Sequence, residues 1–161
     1  MQYIVFILVS LITLGAALRV VTGRNVFHNA LFMVLSFIGV AGLYFLLEAE
    51  FLGVMQILIY VGAISILIIF AVMLSRQLMT QKEPQHNSQW WIAAIVTAAL
   101  FLVLGFMVAR VAWPGMSAEV PQEAIASLGE AFMGTYILPF EVASVILLVA
   151  LVGSILIARE R

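Results

Sequence analysis

Few side chains in this sequence can handle a proton or hold an ion, and those that can fall in two groups. The first is a glutamine and a tyrosine one helical turn apart, Gln56 and Tyr60, within the apolar run FLGVMQILIYVGAISILIIFAVML. In hydrocarbon an amide or a phenol needs a partner, because burying one unpaired costs roughly 2–7 kcal/mol. Water would serve, and so would the backbone of a neighbouring helix. On composition alone, a packed tyrosine bonded to a neighbouring backbone is the simpler reading. Gly62 follows closely, and glycine weakens a helix by about 1 kcal/mol relative to alanine. The middle of this run is therefore where a break in the hydrogen-bond ladder costs least. At helical spacing Gln56, Tyr60, Ala63, Leu67, Phe70 and Leu74 are expected to share one face.

The second group is acidic. Glu48 and Glu50 bracket the end of the preceding apolar run, and Glu141 follows Pro139 at the start of the last one. A charge at the bilayer centre costs about 2.5 kcal/mol or more. All three acids are expected near the outer membrane boundary. Glu141 is expected in the first turn of its helix, where the dipole favours negative charge.

Other chemistry is excluded by what is missing. The sequence has no cysteine and no aspartate, and only two histidines, His28 and His86. That removes thiolate nucleophiles and cysteine-ligated zinc or iron–sulfur clusters. The histidines lie near a helix start and in a polar loop, poorly placed to ligate haem within a bilayer. No glycine-rich nucleotide loop or catalytic triad is present. No basic cluster suggests nucleic acid. No acid or lysine stands in mid-membrane, where a self-sufficient pump places its ionisable groups.

The elements that position these residues are membrane helices. The chain has 161 residues, 65% hydrophobic and 9% charged, with a mean hydropathy of +1.22. Too few polar residues remain to coat a soluble body. A helix crossing the hydrocarbon needs about 20 apolar residues. Five segments qualify, near 2–21, 27–47, 52–74, 90–112 and 137–158. The expected fold is an all-α integral membrane bundle of five transmembrane helices forming a single membrane domain over 1–161. A further helix near 121–133, carrying Ile125, Leu128 and Phe132 on one face, is expected to lie on the membrane surface. Before the first apolar run there is no basic segment, so that run is expected to be a retained helix and not a cleaved leader. Arg19, Arg24, Arg76, Lys82, Arg159 and Arg161 fall on one side and Arg110 on the other. Positive charge stays inside, so the N-terminus is expected outside and the C-terminus in the cytoplasm. Small residues recur in the helices, including Gly39 and Gly42, and permit close approach of helices. Several faces are expected to meet other membrane subunits as well as lipid.

Three stretches resemble the membrane-arm subunit J, or chain 6, of proton-pumping NADH:quinone oxidoreductase (respiratory complex I). They are Asn25 to His28 leading into LFMVLSFIGVAGLYFLLEAEFLG, then QILIYVGAISILIIFAVML, then YILPFEVASVILLVALVGSILIAR. Val26 stands where the family often has proline, and the family often continues into a longer tail than Arg161 allows here. The resemblance implies a subunit that binds no cofactor itself. FMN, iron–sulfur clusters and quinone would belong to partner subunits. The partners implied are the quinone-site, small three-helix and antiporter-like subunits, in a bacterial plasma membrane. It also implies a π-bulge near Tyr60-Val61-Gly62 that can straighten and so gate a hydrated proton path. Tyr60 would orient water or a neighbouring acid, Gly62 would permit the irregular backbone, and Phe70 would be an apolar plug on the same face, which Gln56 shares. Glu50 and Glu141 would help set the local field. Two other roles fit the same features: a passive structural subunit of the arm, and a subunit of a related cation/proton antiporter or membrane-bound hydrogenase.

Overall fold

The computed structural model describes residues 2–75, 89–111 and 123–159. Among them there is no strand. Five helices are long and apolar enough to cross a membrane: α1 (Gln2–Thr22), α2 (Val26–Leu46), α3 (Glu50–Leu74), α4 (Trp90–Arg110) and α6 (Ile137–Ala158). The shorter α5 spans Ala124–Met133. Most of the polar connection after α3 lies outside the described residues, as do Trp113, Pro114 and Gly115, where the sequence signals a turn, and Arg76, Lys82, His86 and Arg161. By contacts the chain divides into two units, Met1–Val111 and Ala112–Arg161.

In the first unit α2 is the central element, packed on α1 and along the length of α3. The α1–α2 turn is closed by two asparagines. Asn25 caps α2, its side-chain oxygen accepting the N–H groups of Phe27 and His28 at 3.0 and 3.2 Å. Two of the four orphan donors at the helix start are thereby satisfied. Asn29 reaches back, its Nδ2 donating to the Gly23 carbonyl at 2.8 Å. Higher up the pair, a Cβ on Gly39 would collide with the hydroxyl of Thr13, and one on Gly42 would touch Val9 at 3.5 Å. Thr13 turns its hydroxyl into its own helix, donating to the Val9 carbonyl at 2.7 Å. Close approach here depends on glycine at 39 and on a hydroxyl satisfied without a partner helix.

The α2–α3 turn is a Schellman ending. Ala49 N–H donates to Tyr44 O at 2.9 Å and Glu48 N–H to Phe45 O at 3.2 Å. Glu48 holds the left-handed position usually given to glycine, with φ 59°. Glu50 then lies in the first turn of α3, where the dipole favours it. At Gly53 an added Cβ would lie 2.9 Å from the Phe45 ring, so the two helices leave the turn in tight contact.

No residue of α4 is buried, and neither is any residue of α5 or α6. In the second unit the break at Gly134–Tyr136 is bridged by Tyr136 N–H to Ala131 O at 2.9 Å. The Phe132 and Phe140 rings meet across it, 6.0 Å apart. Because α6 begins at Ile137, its first turn holds no acid. Glu141 lies deeper than its expected first-turn position, where the dipole effect has fallen away.

Candidate functional site

The centre of α3 is not α-helical. Glu50–Met55 and Ser65–Leu74 are α-helix, but Gln56–Ile64 between them is π-helix, a ladder in which each N–H reaches the fifth carbonyl back. The last of these bonds runs from Ser65 N–H to Tyr60 O. The Ser65 hydroxyl donates to that same carbonyl at 2.7 Å. One oxygen thus anchors the exit from the π segment through two donors of one residue.

Burial along α3 records the inserted residue. Gly53, Gln56, Ser65 and Val72 are buried, and Phe51, Met55, Val61, Gly62, Ile64, Ile68, Ile69 and Ser75 are half-buried. The longest exposed run between them is 57–60, so the step from Gln56 to the next inward residue, Val61, is five. In an uninterrupted α-helix Ser65 would point about 120° away from Gly53, and Val72 about 100° away. One extra residue in the ladder withdraws about 100°, leaving all three within about 20°. Both ends of α3 therefore pack on α2 because its middle is π-helical.

This corrects the single face expected from regular helical spacing. Gln56 is buried, 8% exposed, whereas Tyr60 is 44%, Leu67 67% and Phe70 62% exposed. The expected set is split because the period changes inside it. Tyr60 stays beside α2 through its ring, which meets Phe37 edge-on at 5.5 Å. Phe70 stands on the outward side, in the α-helical part of α3.

Gly62 lies inside the π segment, but its backbone φ is not positive. An added Cβ there would meet only the Ile57 carbonyl, at 3.4 Å, an ordinary contact. Its contribution is low helix propensity, since neither space nor φ demands glycine. Glu50 and Glu141 are both exposed and lie in different units. Ser65 and Phe37 are the residues that sequence reasoning missed. Ser65 had a readable signal, as the one small polar side chain in the run Ile64–Phe70. No group of His, Cys, Asp or Glu among the described residues is arranged to hold a metal ion.

Such a centre has no nucleophile and no ligand set. What it offers is a helix whose two halves are held in phase by an irregular ladder, with a phenol at the irregularity.

Comparison with known proteins gives a consistent assignment. Residues 16–157 match the family described as NADH-ubiquinone/plastoquinone oxidoreductase chain 6. The chain is 37% identical over 161 residues to NAD(P)H-quinone oxidoreductase chain 6 of Synechocystis, covering 99% of this chain and 81% of that one. It is 38% identical over 163 residues to the protein of the same name from Leptolyngbya boryana, with 99% and 80% covered. It is also 36% identical over 160 residues to F(420)H(2) dehydrogenase subunit J of Methanosarcina mazei, with 96% and 89% covered. With nearly its whole length matched and five apolar helices to span a bilayer, the chain belongs to the NADH-ubiquinone/plastoquinone oxidoreductase chain 6 family of multi-pass membrane subunits.

Proposed function

We propose that this chain couples quinone reduction to proton pumping by gating a hydrated path at the π-helical centre of α3. The observation that carries the reading is the nine-residue π segment Gln56–Ile64 in the middle of a membrane span. π-Helix is rare and concentrates at functional positions. Straightening it to α-helix would turn one half of α3 by about 100° relative to the other. Tyr60 would orient water or an acid of a neighbouring subunit, and its partial exposure supports that. Gln56 would hold the inner side of the path. Phe70 would act as an apolar plug, and Glu50 and Glu141 would contribute to the field at the outer boundary.

In this reading the chain performs no redox step. FMN, iron–sulfur clusters and quinone would be held by other subunits, and the chain would sit between the quinone-site and antiporter-like subunits of the arm. The relatives are named for different donors, NAD(P)H in one case and F(420)H(2) in another. Donor choice would then lie elsewhere in the complex. The host membrane would be a bacterial plasma membrane, with the N-terminus outside and the C-terminus in the cytoplasm, as the arginines favour.

The test is Gly62→Leu in the assembled complex, with Gly62→Ala as control. A methyl group fits at position 62, so the alanine variant should pump normally. The leucine variant should reduce quinone while pumping fewer protons per quinone. Unchanged pumping in a normally assembled leucine variant refutes gating. A passive spacer is the second reading, favoured by the lack of any buried residue on α4 and α6.

A further inference from the structure

We propose that Ser65 selects the register of α3: it is the side chain whose small size decides which residue faces α2, and so whether the centre of the helix is π or α. Ser65 is 1% exposed, lower than any other buried side chain among the described residues. Its neighbours on both sides are isoleucines, Ile64 and Ile66, followed by Leu67, Ile68, Ile69 and Phe70. At that degree of burial a branched side chain would overpack its seat, because interiors are close-packed.

Register and seat are linked by arithmetic. Removing the one inserted residue turns the second half of α3 by about 100°, which carries position 64 to the place now held by position 65. That would press Ile64 into a seat shaped for serine. The π form is the arrangement in which the small residue lands there.

The hydroxyl agrees with this register. Elsewhere hydroxyls on regular helix bond three or four residues back: Thr13 to Val9, Thr22 to Leu18, Ser144 to Glu141 and Ser154 to Leu151. Ser65 bonds five back, to Tyr60 O. It is thereby satisfied inside the seat without a partner from α2. The bond follows the register; the size of the side chain sets it.

The importance of Ser65 for pumping rests on the gating reading above, whereas its effect on register does not. The decisive variant moves the small side chain back by one position, Ile64→Ser with Ser65→Ile, keeping the composition and total volume of the helix. High-resolution imaging of the assembled complex should then show α3 as uninterrupted α-helix, with the five-back ladder over 56–64 lost. Ser65→Ala, which keeps the size and loses the hydroxyl, should retain the π segment. A relocated variant that still carries the π segment overturns the proposal. So does a Ser65→Ala variant that loses it, because the hydroxyl and not the seat would then be selecting. Protons pumped per quinone reduced, measured on the same preparations in vesicles, separates the two levels. If α3 straightens and the ratio is unchanged, register selection stands and gating fails.

Discussion

Adding one methyl group at Gly39 should weaken the α1–α2 pair, and the size of the effect follows from its surroundings. A Cβ at this position would overlap the Thr13 hydroxyl and lie 3.0 Å from Thr13 Cβ and 3.3 Å from its Cγ2. Thr13 is itself buried and has its hydroxyl tied to Val9 O, so it has little freedom to withdraw. Overpacking of this kind costs about 1–3 kcal/mol. Alanine returns about 1 kcal/mol through helix propensity. Gly15 supplies the reference, because a Cβ there meets nothing within 4 Å and only the propensity gain applies. Gly39→Ala should therefore be less stable than Gly15→Ala by about 1–3 kcal/mol. Replacing Thr13 by alanine in the Gly39→Ala background should recover most of that difference, leaving only the 3.0 Å contact to Cβ. The assay is reversible denaturation of the purified chain in micelles, followed by helix content, with the unmodified chain and all three variants in one series. If Gly39→Ala matches Gly15→Ala, or if the Thr13 substitution restores nothing, the close approach of α1 and α2 described here is wrong.

Two further substitutions test the turns that hold α2 in place. Asn25→Ala should destabilise by about 1 kcal/mol, the usual worth of a lost N-cap; Asn25→Asp should not, and the same denaturation series separates them. Glu48→Gly should stabilise by about 1 kcal/mol by removing a left-handed non-glycine residue, read as a rise in the denaturation midpoint of the chain.

Hydropathy made the five spans legible because each is a continuous apolar run of about the length a bilayer requires. The close contact at Gly39 was legible in kind, as a small residue in a helix, but not its partner Thr13, which lies 26 positions away in sequence. The face of α3 was misread because a period of 3.6 was carried through a segment whose period is longer. Two things pointed to the change: the weak propensity around Gly62, and the π-bulge that the family resemblance implies near Tyr60-Val61-Gly62. Ser65 was marked in the sequence as the lone small polar residue of an aliphatic run, but which way it faces appears only once burial is known. The start of α6 at Ile137 was legible, and Glu141 was misplaced only because it is the fifth residue of that helix, one beyond the first turn.

The bareness of α4 and α6 has a consequence for the life of the polypeptide. Each is largely apolar, and within its own unit no residue of it is buried. A lipid bilayer accepts such helices as spans, since their backbone groups are satisfied internally, but it exerts no preference for any rotation about the long axis. Little within the chain fixes the azimuth of these two spans, and any companion that packs on them would set it.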